Sequence, residues 1–300
     1  MTYNRGELIQ NLLTSLSRIE YTPFEVIVVD NHSDVPVKSF IGDKFPAVTV
    51  LEMEENIGVG GRNSGIAAAT GDIIITLDDD ILGIDDAAIQ KIIDQFSDPV
   101  IGAVCFKVLD PEGNISNWCH HYSAESFADK TFITNEITEG AVCFRKETLE
   151  QSGLYPDFFF ISHEGPDLAY RIMNAGYNVI YSPEITVIHY HSSIGRKNWR
   201  RYYYDTRNQF WLAARNYPLT YAVKSLSVGL MAMLIYSIRD GFFIYWLKGV
   251  AGGIKGLRHA YKGRSRPTAR TLAIVREIDR NRPAFISMVK KRLFQKQVRI

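Results

Sequence analysis

The chain has 300 residues, 46% of them hydrophobic and 22% charged, which is enough to bury the core of one large domain, or of one domain with an appendage, and excludes wholesale disorder. Three cysteines, Cys105, Cys119 and Cys143, show no CxxC spacing; this argues against a disulfide framework or structural zinc and fits a reducing cytosol. The net charge of +1 hides an asymmetry, since residues 255–300 hold 14 Lys/Arg against Glu277 and Asp279, so this tail carries +12 and the rest of the chain −11.

Taken in chain order, the start MTYNRGELIQ is polar and carries no signal-peptide pattern. FEVIVVD (24–30) and GDIIITLD (71–78) are short, β-branched and nearly all apolar, as strands buried on both faces should be. Between them lies GVGGRNSGIAAATG, a helix-length segment that Gly71 is expected to stop. DDAAIQKIIDQF (85–96) has the period of an amphipathic helix. This alternation predicts a mainly parallel sheet covered by helices, with ligands beyond the carboxyl ends of the strands. Further on, ITEGAVCFRKETL and NVIYSPEITVIHYHSS read as strands and DLAYRIMNAG (167–176) as the helix between them. A helix is expected from about 198 to 216, followed by the apolar run LSVGLMAMLIYSI (226–238), about 13 residues and short of the roughly 20 that span a bilayer. That run suits either a core helix or, with Lys224, the aromatic GFFIYW (241–246) and the basic tail, a helix lying in a membrane interface. A tail of this charge implies an anionic membrane surface; no nucleic-acid recognition motif accompanies it.

The chemistry concentrates at strand ends. Asp30 closes VIVVDNHS, and a carboxylate there can accept the ring N–H of a pyrimidine or the paired donors of a guanine. ENIGVGGRNSG lets backbone approach a ligand closely, and its Arg62 suits phosphate, but no Lys-Ser/Thr follows as in an ATPase loop. Asp78, Asp79 and Asp80 stack three anions at the end of a buried strand with no base in the local sequence. Their compensating charge must come from elsewhere, and a divalent cation bridging Asp80 to a diphosphate would supply it.

The ordered set TYNR, VIVVDNHS, NIGVGGRNSG, ATGDIIITLDDD, EGAVCFRKE, HEGPDLAYR and VIHYHSS resembles the family 2 inverting glycosyltransferases of GT-A fold, over about residues 2–215. YYYDTRNQFWLAARNYP and WLKGVAGGIKGL resemble the bacterial rhamnosyltransferase-like branch, which builds cell-surface polysaccharide. The resemblance implies an α/β, Rossmann-like GT-A domain over 1–215 and a helical, basic C-terminal region over 216–300. It implies an enzyme that moves sugar from a UDP-, dTDP- or GDP-sugar to a glycan or lipid-linked acceptor, peripheral to the cytoplasmic face of the cell membrane. By the same resemblance Tyr3 and Asp30 hold the base, Arg62 lies near the diphosphate, and Asp78 contacts the ribose with Asp79 beside it. Asp80 binds Mn²⁺ or Mg²⁺, with His189 completing the site and His191, on the same strand face, in reserve.

Two departures accompany it. The family's apolar strand ahead of TYNR is not seen, so either the start is mis-called or truncated or the sheet lacks a member beside the base pocket. The family's catalytic base position falls on Gly165, between Glu164 and Asp167. Asp167 opens a helix, where a carboxylate is favoured anyway, so Glu164 is the first candidate for the base and Asp167 the second. A nucleotidyltransferase, or a nucleotide-binding protein that lost its base at residue 165, are the competing readings.

Overall fold

The structure is a computed structural model that describes residues 1–116, 118–119, 121–191, 198–282 and 284. Lys290, Lys291, Arg292, Lys296 and Arg299 of the basic tail, and the end of the VIHYHSS motif, lie outside the described residues.

Eight strands carry the site: β1 (Val26–Asp30), β2 (Val48–Glu52), β3 (Ile73–Leu77), β4 (Ile81–Leu82), β5 (Ile101–Leu109), β6 (Phe132–Ile133), β7 (Ala141–Arg145) and β8 (Asn178–His189). β1 and β2 pair in parallel, and a separate sheet runs β3-β7-β5-β8-β4 with β6 also on β8. β3, β5 and β8 point the same way, and β7 is inserted antiparallel between β3 and β5. The two sheets approach through Thr2, whose N–H donates to Val29 O at 2.9 Å and whose carbonyl accepts from Asn31 at 2.9 Å. The Met1 ammonium reaches Leu77 O at 3.2 Å. Among the described residues no strand lies between β1 and β3.

Helices α1 (Gly6–Leu16), α2 (Lys38–Ile41), α3 (Gly60–Ala68), α4 (Asp86–Gln95), α5 (Ala124–Phe127), α6 (Lys146–Ser152) and α7 (Glu164–Asn174) surround the sheets. Alternation along β5 divides the core. Val104, Phe106 and Val108 pack with Leu13 of α1 and Ile89 and Ile92 of α4, while Ala103 and Cys105 pack with Leu168 and Ile172 of α7. The segment ITEGAVCFRKETL is a strand only over 141–145, and its polar second half turns into α6. α3 ends at Ala68, before Gly71, because Ala69 is already extended at ψ 137°.

Among the described residues four further helices follow: α8 (Asn198–Asn216), α9 (Leu219–Arg239), α10 (Phe243–Lys262) and α11 (Ala269–Arg280). The apolar run read as about 13 residues is part of a 21-residue helix, α9, because Leu219 to Ser225 extend it by two turns. It is the one helix among the described residues long and apolar enough to cross a membrane, and only 17% of its apolar window is buried. α10 lies close on α8 because its contact face is glycine: a Cβ at Gly253 would sit 2.4 Å from the Phe210 ring and one at Gly249 2.7 Å from Tyr203 O. Trp211 Nε1 donates to Gly253 O at 3.0 Å across the same seam.

α8 is tied to α7 by charge. Asp167, fully buried, accepts from Arg171 Nε at 2.9 Å, Arg215 Nε at 2.6 Å and Asn216 Nδ2 at 2.6 Å. An anion fixed by two guanidiniums and an amide is costly to remove, because its loss leaves buried cations unpaired. Asp167→Asn is therefore expected to lower unfolding stability by about 3 kcal/mol or more, measured by denaturant melts.

Candidate active site

The carboxyl ends of β1, β3 and β8 converge as the sequence suggested, but the three aspartates meet protein cations. Arg5, at the start of α1, reaches both Asp79 Oδ1 at 2.8 Å and Asp80 Oδ2 at 3.1 Å. Arg62, in the first turn of α3, pairs with Asp78 Oδ1, and its side chain is only 7% exposed. His189 Nε2, at the end of β8, stands 3.3 Å from Asp80 Oδ1. The charge arrives from segments 74 or more residues away for Arg5 and 16 for Arg62.

Burial raises the cost of charge on Asp78, yet the Arg62 guanidinium outweighs it and holds this carboxyl below its ordinary range. At Asp80, burial is likewise outweighed, here by the hydrogen bond to His189. Asp79 is raised, chiefly by burial. Asp78 alone of the three reaches the cleft, its side chain 31% exposed against 3% for Asp79 and none for Asp80.

Several expectations change at this point. Asp30 does not present its carboxylate: it is buried, and its two oxygens accept from Ser33 N and Val37 N, both at 2.9 Å, so it closes the turn after β1. Asp79 is likewise turned inward, onto the Thr2 hydroxyl at 2.6 Å and Arg5. Asp167, the second candidate for a base, sits behind the site with its oxygens engaged by α8. Tyr3 is partly exposed directly after Thr2, next to the β1 end. His191 lies against His189 with ring centroids 3.9 Å apart, and its Nε2 meets the Ser116 hydroxyl at 2.9 Å.

Glu164 is presented by a strained turn. Phe160, Ser162 and His163 all have positive φ, at 65°, 75° and 66°, a region non-glycine residues avoid unless their surroundings enforce it. The enforcement comes from both sides. Gly58, itself at φ +60, gives Phe160 O room that a Cβ would close to 2.1 Å, and Val59 N donates to Phe160 O at 2.7 Å. From α8, the buried Asn208 amide donates to Phe159 O, Ile161 O and Ser162 O at 2.7–3.0 Å. The turn leaves Glu164 as the first residue of α7, 5% exposed, with Oε2 sealed from solvent and lacking a hydrogen-bond partner. Burial pushes its carboxyl up to about 7.

Sequence reasoning missed Arg5, hidden in TYNR, and Asn208, hidden in RNQFW. It also missed Glu139, just ahead of β7, whose carboxylate oxygens are sealed from solvent; a charged residue beside the apolar AVCF was the available signal.

This arrangement, a mixed α/β sheet with acidic strand ends facing an arginine and a glycine-rich helix start, is that of the GT-A fold. Solved structures share it: residues 1–349 of TarS from S. aureus in complex with UDP-GlcNAc superpose with a TM-score of 0.62 at 16% identity, covering 93% of this chain and 88% of that one. The mannosyltransferase PcManGT from Pyrobaculum calidifontis, in complex with GDP-Man and Mn²⁺, gives 0.56 at 19% identity, covering 92% and 84%. The family model for Glycosyl transferase family 2 matches residues 1–164, more than half of the chain, and the protein belongs to that family of enzymes. The chain is 26% identical to the O-antigen chain rhamnosyltransferase RfbN of Salmonella typhimurium, over 67% of its own length and 68% of the relative's. It is 22% identical to an N-acetylglucosaminyl-diphospho-decaprenol L-rhamnosyltransferase of Mycobacterium tuberculosis, over 65% and 76%.

The raised Glu164 carboxyl has a signature in stability. The folded protein keeps this proton up to about pH 7, while the unfolded chain releases it near 4.5, so folding loses stability as pH rises through that window. Glu164→Gln removes the penalty. The variant is expected to match wild type near pH 4.5 and to exceed it at pH 8 by up to about 3 kcal/mol, read from thermal melts at the two pH values.

Proposed function

We propose that the protein is an inverting glycosyltransferase that carries sugar from a UDP-, dTDP- or GDP-sugar to a hydroxyl of a glycan or lipid-linked acceptor, in the synthesis of bacterial cell-surface polysaccharide. The observation that carries this reading is Glu164, a buried carboxyl at about 7, in the electrostatic neighbourhood of Arg62 and Asp78. Proton abstraction at neutral pH needs a base of that strength, held out of water. The activities of these relatives favour a rhamnosyl donor and a lipid-linked or growing-chain acceptor.

In this reading Asp78 orients the donor at the cleft mouth while Arg62 fixes Asp78 and lends positive charge to the diphosphate side. Asp30 and Asp79 act one step back, by shaping the loops on which Tyr3 and Arg5 stand. Asp80 Oδ1 and His189 Nε2, 3.3 Å apart, are an oxygen and a nitrogen at the spacing of two adjacent ligands about 2.1 Å from one ion. Among the described residues no third His, Cys, Asp or Glu joins them, and both are buried with Arg5 on Asp80, so an ion there would need this corner to open before donor phosphates and water filled the remaining positions. A Mn²⁺ or Mg²⁺ held by Asp80 and His189 would supply positive charge to the leaving nucleoside diphosphate. Glu164 takes the proton of the acceptor hydroxyl as its oxygen bonds to the sugar C1 and the C1–phosphate oxygen bond breaks on the opposite face. Configuration inverts in this one displacement.

Glu164→Gln is expected to lower kcat by about 10²- to 10⁴-fold with nucleoside diphosphate binding intact. Asp80→Asn should abolish the Mn²⁺ dependence of that binding in calorimetric titrations, and His189→Ala should weaken it less. Nucleotide affinity that ignores Mn²⁺ in the wild type overturns the metal assignment.

We also propose that the enzyme works at the anionic cytoplasmic face of the membrane. On α9 Val223, Met231 and Ile238 are 59%, 51% and 62% exposed, and on α10 Ile244 and Ile254 are 53% and 57% exposed. Exposed Lys224, Lys248, Lys255 and Arg258 lie among them. Apolar side chains interleaved with lysines suit a headgroup boundary. The protein should float with vesicles containing anionic lipid and be released steeply by salt, since each basic residue near the surface contributes about 1 kcal/mol. Equal flotation with neutral vesicles would remove the electrostatic part.

A further inference from the structure

Gly165, the second residue of α7, has no backbone reason to be glycine, because its φ lies outside the left-handed region. Glycine in a helix is disfavoured by about 1 kcal/mol relative to alanine, so something else must require it. The requirement is space. A Cβ at residue 165 would fall 2.5 Å from Glu139 Oε1 and 2.7 Å from Ile137 O. The Glu139 carboxyl group therefore occupies the volume that a side chain at 165 would need, beside Glu164.

Both acids are sealed there. Glu139 Oε1 and Oε2 and Glu164 Oε2 have no solvent contact and no hydrogen-bond partner. Among the groups that bear on them, Arg62 and Asp78 act on both, Asp205 acts on Glu164, and the neutral Tyr155 hydroxyl acts on Glu139 as a neighbour able to hydrogen-bond. Arg62 is the cation common to both, and its direct ion pair is already made with Asp78. Burial, and then the neighbouring Glu164, push Glu139 well above the carboxylate range. Two adjacent buried carboxylates with no cation of their own cannot both ionise.

We propose that Glu139 and Glu164 form a carboxyl pair across residue 165 that holds one proton at rest and together accepts the acceptor's proton. Glu139 acts through Glu164 and is a positioning residue. The resting pair carries a single negative charge; the hydroxyl proton neutralises it as the new C1–oxygen bond forms and nucleoside diphosphate departs with the electron pair of the broken bond. This rests on Glu164 being the base of the proposed transfer.

The test is Glu139→Gln, an isostere without the second ionisation, assayed beside Glu164→Gln and wild type. The pair requires the acidic limb of the kcat/KM profile, which is its first ionisation, to move to higher pH by at least about one unit once the protonated partner that stabilises the single anion is lost, with donor KM unchanged. Gly165→Ala, which pushes the Glu139 carboxyl aside and also presses on Ile137 O, should shift the limb in the same direction. The infrared stretch of a protonated carboxyl that wild type keeps above the limb should vanish there in Glu139→Gln. If Glu164→Gln is inactive while Glu139→Gln keeps the wild-type limb and infrared band, the pair is refuted and the base assignment stands. If Glu164→Gln transfers normally, the base assignment itself has failed.

Discussion

Three consecutive carboxylates at the end of a buried strand set the terms for the molecule. Each anion withdrawn from water must meet a compensating charge, and repulsion among the three raises that requirement. Arg5 from the start of α1 and Arg62 from the start of α3 supply it. Because both arginines sit at helix starts, neutralising the aspartates also fixes how these helices dock on the sheet. The Thr2 bridge to β1 and its hydroxyl bond to Asp79 close the same corner. Charge compensation and chain topology are here one constraint, and Asp78 stays within reach of solvent because Asp79 and Asp80 are anchored from behind.

A second constraint acts on the opposite wall. The turn at 160–163 carries three left-handed non-glycine residues, a conformation costing of order 1–3 kcal/mol apiece. It persists because Gly58 admits its carbonyl and Asn208 gathers three more in one amide. The strain places Glu164 at the head of α7 in a dry pocket. An acid there is held at about 7 by burial, where an exposed glutamate would be a far weaker base.

The parts of this arrangement that follow local rules were legible in the sequence. The β-branched run at 73–77 reads as a strand and the amphipathic period at 85–96 as a helix, and Asp85 does cap α4 through Ala88 N at 2.8 Å. The order of motifs located the strand ends. What was not legible depends on distance in sequence. Nothing near Asp78 names Arg5 as its neighbours' partner, and nothing near Asp167 names Arg215, 48 residues on. Asp30 resembles a ligand-binding acid until the backbone N–H groups of Ser33 and Val37 are seen to use both its oxygens. Glu139 is the clearest case: its meaning lies in the missing side chain of a residue 26 positions later, and no periodicity records an empty volume. The apolar run on α9 was underestimated because residues 219–225 mix polar and apolar types, though they continue the same helix.

The glycine seam between α8 and α10 has a mechanical corollary. With Gly249 and Gly253 seated against Tyr203 and Phe210, the two helices interlock at backbone distance and have little freedom to slide or roll. α8 in turn grips the 157–163 turn through Asn208 and the body of the domain through Arg215. Force applied to the outer helices is thus delivered, through one stiff rod, to the turn that aims Glu164. In the proposed reading the helical annex is a handle, through which a surface under α9 and α10 would set the pose of the cleft.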